Sequence, residues 1–120
     1  GQSFTMYVGD DLPTVRRQGL LRSVTLRLHI DNVSRHDCVE VSVNGQQLPA
    51  STRTWDPVGY SYAWIGYPLW EILPQSGPNT IEVVLRSRPA QLGGPITLAE
   101  AELFVDFVQQ RNRSPFDQWS

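Results

Sequence analysis

Between Trp55 and Trp70, six large aromatic residues crowd into sixteen positions: Trp55, Tyr60, Tyr62, Trp64, Tyr67 and Trp70. Rings with a polar handle suit sugars, whose C–H faces lie flat on a π surface while their hydroxyls seek planar polar partners. Arg53 and Asp56 flank Trp55 and offer such partners. Trp55, Tyr60, Arg53, Asp56, Tyr62 and Trp64 are therefore the candidate ligand-binding residues. The competing reading packs the same rings into the core or over an open end of the fold, where large aromatics more commonly sit. Tyr62 and Trp64 share one face of an alternating run, with Ile65 and Tyr67 on the other, so both faces cannot be platforms. Trp55 and Tyr60 stand outside the alternation and are expected to be exposed in a loop. Trp70 is expected to belong to the scaffold.

Other chemistry-bearing residues are sparser. Asp10 and Asp11 follow a glycine and could be calcium ligands, although calcium takes six or more oxygens and two carboxylates fall short of that. Their alternative role is capping a turn. Apart from that candidate structural calcium, no cofactor is expected. Glu40, Glu82, Glu102 and Asp106 alternate outward on strands, where they can pair weakly with Arg27 and Arg86. A glycosidase needs two carboxylates across a cleft, and a flat sheet face supplies none, so the domain is not expected to be an enzyme. His29 and His36 lack a third ligand at zinc spacing. Cys38, the one cysteine, cannot form an internal disulfide and has no base at a spacing that would activate it. Asn32-Val33-Ser34 is a legal N-glycosylation triplet of a kind common by chance.

The 120 residues suit one domain with one core. The net charge of −2 and the complete absence of lysine leave no basic surface for a phosphate backbone, so no nucleic-acid partner is expected. No apolar run reaches the roughly 18 residues that a membrane helix needs, and no leader peptide is recognisable. The chain opens close to a strand and reads as a domain of a longer protein.

The elements that must position these groups follow a period of two. Val24, Leu26, Leu28 and Ile30 alternate with polar residues, as do Val39, Val41 and Val43, then Ile81, Val83 and Leu85, then Leu103, Val105 and Phe107. Phe4, Met6 and Val8 mark a first strand, and 62–67 a short aromatic one. Asn44-Gly45 is a strong hairpin signal, with a return strand that starts at Gln46 and stops at Pro49. These runs predict an antiparallel all-β sandwich over residues 1–108, followed by a polar tail or linker over 109–120. Phe116 and Trp119 make part of that tail sticky. Residues 9–21 read as a loop or helical turn, residues 50–61 as a long loop, and residues 69–73 as the one helical turn, between Pro68 and Pro74.

The stretch from Val41 to Leu48, with its Asn44-Gly45, and the stretch from Leu69 to Val83, with its Gly77-Pro78-Asn79-Thr80-Ile81, together carry a resemblance. They resemble the galactose-binding-like jelly-roll domains attached to glycoside hydrolases. The strict likeness covers about 45 residues, and the strand order extends it over most of the chain. Pro78 departs from it, since the family usually has a polar residue there. The opening Met6 to Leu12 looks like an accessory domain from the C-terminal end of large bacterial hydrolases. The resemblance implies a jelly roll and a non-catalytic carbohydrate-binding module in a larger, secreted or extracytoplasmic carbohydrate-active enzyme. Its partners would be a polysaccharide or oligosaccharide and a linked catalytic domain. It equally allows a structural accessory domain that packs on a catalytic domain or subunit without a ligand of its own. No ligand residues carry over, because only frame residues match.

Overall fold

The computed structural model describes residues 2–33, 38–58, 62–87 and 96–108. Among these residues, eight strands and one short helix follow in the order β1 (Gln2–Val8), α1 (Leu12–Arg17), β2 (Leu21–Asp31), β3 (Cys38–Val43), β4 (Gln46–Gln47), β5 (Thr54–Val58), β6 (Tyr62–Pro68), β7 (Gly77–Ser87) and β8 (Thr97–Phe107). They form two antiparallel four-stranded sheets, ordered β1-β7-β3-β4 and β5-β6-β2-β8. The chain is an all-β sandwich, as the alternation requires. Val24, Leu26, Leu28 and Ile30 of β2 meet Val39, Val41, Val43, Ile81 and Val83 of the other sheet in one apolar core, and all are sealed from solvent. No helix among the described residues is long and apolar enough to cross a membrane.

The hairpin after β3 forms where Asn44 and Gly45 both take positive φ, 51° and 85°, the pair of left-handed positions that a two-residue turn needs. Asn44 does more than turn. Its Oδ1 accepts from the Thr80 N–H at 2.8 Å and its Nδ2 donates to Asn79 Oδ1 at 2.9 Å. Asn79 is 1% exposed, the only buried polar or charged side chain among the described residues. Its Oδ1 also accepts from the Gln75 N–H at 2.8 Å, while its Nδ2 donates to the carbonyls of Gln75 at 2.9 Å and Gly77 at 3.1 Å. A buried amide is tolerable only when saturated in this way. Asn79 thus closes its own turn and also ties it to the hairpin 35 residues away in the chain.

Two expectations for the connections change, while the reading of residues 9–21 as a loop or helical turn holds. The helix lies at Leu12–Arg17, with Asp11 as its N-cap and Pro13 in its first turn. Residues 69–73 make bends instead of a helical turn. There the Leu69 N–H donates to the Val24 carbonyl of β2 at 2.8 Å, which ties the segment to the sheet. Residues 54–58, read as loop, form β5 at the edge of its sheet, with β6 as its only partner strand among the described residues. Pro57 hid that strand from a sequence reading; an edge strand tolerates proline because its missing N–H can fall on the unpaired side. The tail over 109–120, with Phe116 and Trp119, lies outside the described residues.

Candidate functional site

Strand register decides which side chains share a surface. In the β5-β6-β2-β8 sheet, Asp56 stands opposite Trp64, Trp64 opposite His29, and His29 opposite Glu100. The flanking rows are Val58–Tyr62–Asp31–Thr97 and Thr54–Gly66–Arg27–Glu102, with Thr25 opposite Phe104 beyond them. All lie on the outer face, because the intervening Ala63, Ile65, Leu26, Leu28 and Ile30 point into the core. An irregularity in the β2–β8 pairing between His29 and Ile30 places Leu98 and Glu100, rather than consecutive odd and even positions, opposite Ile30 and His29. The extra residue is Ala99, and Glu100 faces outward beside His29 in phase with Glu102 and Phe104.

The side chains on this face are locked to one another. A chain of contacts runs from Phe104 to the Arg27 guanidinium at 5.8 Å, from Arg27 to the Trp64 ring at 4.6 Å, and from Trp64 to His29, stacked at 4.8 Å and 13°. It ends at Tyr62, edge-on to His29 at 5.9 Å. Tyr62 and Phe104, at its two ends, are 46% and 50% exposed. The His29 ring nitrogens are shielded from solvent and make no hydrogen bond, although Glu100 Oε1 is 3.4 Å from Nδ1 and Asp31 Oδ1 is 3.9 Å from Nε2. The result is a row of π surfaces with carboxylates along both sides.

The candidate residues from the sequence divide. Asp56, Tyr62 and Trp64 come together on this face. Trp55 does not join them. It sits in β5 rather than a loop, opposite Ile65, half-buried and packed on the core, which corrects the expectation that it is exposed. The alternation places it inward, one position from each of the outward-facing Thr54 and Asp56. Arg53 stays with it. The guanidinium lies 5.2 Å from the Trp55 ring, and Nη1 donates to the Tyr67 hydroxyl and the Val39 carbonyl, each at 3.3 Å. Those bonds join the two sheets. Burial pushes the Tyr67 phenol up from its ordinary range, and the bond from Arg53 only partly offsets this. Tyr60 lies outside the described residues.

Sequence reasoning did not place Arg27, His29, Glu100 or Phe104 at the site. Their outward phase along β2 and β8 was visible, but their adjacency to Trp64 depends on pairing between strands distant in the chain.

The remaining candidates are engaged elsewhere. Asp11 caps α1, accepting from the Thr14 hydroxyl at 2.8 Å and the Thr14 N–H at 3.3 Å. No group of three or more His, Cys, Asp or Glu suited to a metal occurs among the described residues. Glu40 and Glu82 line one depression of about 190 Å³ on the opposite sheet, but Glu40 is held by Arg86 at 2.6 Å, so no free acid–base pair stands there. Cys38 is exposed at the start of β3, and His36 lies outside the described residues. Trp70, 39% exposed, lines an apolar cleft of about 230 Å³ with Leu48, Pro49 and Pro68 at one end of the sandwich. Arg16 lies 5.7 Å from its ring and donates to its carbonyl.

Comparison with protein-family models, with curated proteins and with solved structures gives no match to this chain.

Proposed function

We propose that the chain is a non-catalytic glycan-binding β-sandwich, a module of a larger carbohydrate-active enzyme, and that it binds through the outer face of the β5-β6-β2-β8 sheet rather than through a loop. One observation carries the reading. Exposed Tyr62 and Phe104 flank half-buried Trp64 in one row whose rings are already fixed by Arg27 and His29. A soluble domain rarely presents such rings together without a partner for them. Rings held in place before binding lose little side-chain entropy when a sugar settles on them. Asp56, opposite Trp64, supplies a hydrogen-bond acceptor at the edge of the row. The resemblance to galactose-binding-like jelly rolls belongs to the same proposal; the Asn44–Asn79 link is the part of its sequence pattern that has a structural role here. Secretion with a linked catalytic domain is what that resemblance adds.

Stacking energies of about 0.5–1.5 kcal/mol per ring imply weak binding, in the range of a millimolar Kd. Electrophoresis through gels loaded with plant, algal or microbial polysaccharides, with calorimetry on matching oligosaccharides, tests this. Wild type is retarded by at least one glycan. Trp64→Ala and Tyr62→Ala abolish the retardation, while Trp70→Ala, in the apolar cleft, keeps it. Retardation that survives loss of both Trp64 and Tyr62 removes the assignment of the face.

A second reading has its own observation. Phe107 and Val108 are 42% and 40% exposed at the end of β8, and with the Trp70 cleft they offer apolar surface to a neighbouring domain. A structural accessory domain predicts no response to any glycan and tight association with its parent enzyme.

A further inference from the structure

The charges around the ring row are unbalanced. The outward positions of its sheet carry five carboxylates: Asp31, Asp56, Glu100, Glu102 and Asp106. Against them stand two guanidinium groups, and neither balances the row. Arg22 pairs with Asp106 at 3.8 Å. Arg27 lies over Trp64 and Phe104 and makes no ion pair among the described residues, although Glu102 stands directly opposite it. No arginine neutralises Asp31, Asp56, Glu100 or Glu102 among the described residues. Asp56 and Glu100 bracket the Trp64–His29 pair from the outer strands, about 14 Å apart at ordinary strand spacing, which leaves room for a short oligosaccharide.

From this arrangement we infer that the face selects amine-bearing glycans, such as glucosamine oligomers, over neutral or N-acetylated ones. The inference rests on the glycan-binding reading above and names its substrate class. Sugar rings lie on Tyr62, Trp64 and Phe104, and their ammonium groups reach Asp56, Glu100 and Glu102. A neutral sugar would have to desolvate the rim carboxylates without giving them a countercharge, which weakens it relative to a cationic one. The ring row itself already holds one cation, Arg27, against two π faces, and the same attraction extends to a ligand ammonium.

The test is calorimetry near neutral pH with three oligomers of equal length: glucosamine, N-acetylglucosamine and glucose. The glucosamine oligomer binds at least about tenfold more tightly, and its advantage shrinks at about 1 M salt, where screening reaches within a few ångströms. The double variant Asp56→Asn/Glu102→Gln loses about threefold to tenfold for the amine-bearing oligomer, consistent with two exposed ion pairs, and so narrows that oligomer's advantage over the neutral ones. Equal affinity for all three, or an unchanged preference in the double variant, overturns the charge selectivity but leaves the glycan face standing. Binding of an arginine-rich peptide as tight as that of the glucosamine oligomer also overturns it and marks the face as a protein contact. If no oligomer of any kind binds, the glycan-binding reading itself fails.

Discussion

Replacing Asn79 with alanine tests the joint between the β3–β4 hairpin and the turn that opens β7 most directly. The amide makes four bonds of 3.1 Å or less, to Asn44, the Gln75 N–H, and the Gln75 and Gly77 carbonyls. Each contributes about 1 kcal/mol net. Asn44 and Gln75 are exposed residues, so water can replace part of what is lost, and about half the sum should be discounted. That leaves about 2–3 kcal/mol once the small void behind the deleted amide is added. A domain of this size has about 5–15 kcal/mol in total. Urea unfolding followed by tryptophan fluorescence should show the midpoint fall by about 1 M, with little change in slope. The melting temperature should drop by about 8–10 °C. Asn79→Asp provides the sign. It keeps the acceptor but turns a carboxylate toward two carbonyl oxygens, so its folded-state pKa lies above the unfolded value of about 3.9. Its stability deficit is therefore largest at neutral pH and shrinks as pH falls toward about 4. An Asn79→Ala protein within about 0.5 kcal/mol of wild type would show that the turn closes without this amide.

Three further outcomes follow from single contacts. A methyl group at Gly66 would meet Thr54 Oγ1 at 2.5 Å and everything else at 3.7 Å or more, so Gly66→Ala should destabilise by about 1 kcal/mol alone and by nothing in a Thr54→Ala background; equal effects in both backgrounds would contradict the contact. Arg53→Met leaves the buried Tyr67 hydroxyl without its donor, and urea unfolding should show about 1–2 kcal/mol lost, while ultraviolet titration shows the phenol, already raised by burial, ionising at still higher pH. Asp11 is held below the usual carboxylate range chiefly by the Thr14 hydroxyl, then by the Thr14 N–H and Arg17. Its cap is therefore at full strength above the unfolded pKa and lost as pH falls through the lower folded one; an NMR titration of the carboxyl in Thr14→Val should find the midpoint moved back upward.

How far the sequence could be read depended on how local each determinant is. Alternation along β2, β3, β7 and β8 sorts side chains between two faces within one strand, so the sandwich and its core were legible. Asn44-Gly45 determines a turn from two residues, and the turn is there. Residues 54–58 failed because their strand character comes from β6, which lends hydrogen bonds to a segment whose own composition, with Asp56-Pro57 at its centre, says loop. The same failure displaced Trp55. Outside the alternation, in a loop, it would be free; inside β5 it takes a definite face, and that face is inward. The site illustrates the harder limit. Trp64, His29, Arg27 and Phe104 are brought together from three strands, and the phase of each was readable from its own run. Their adjacency was not, because it depends on which outward residue of β2 stands opposite which residue of β6 and β8, and a shift of one residue in register turns a strand's outward set inward. The alternation thus says that an outer face exists and roughly what lies on it. Only the pairing turns Arg27 and His29 from outward polar residues into the groups that hold the rings in place, and with them a charge imbalance spread over three strands becomes one surface.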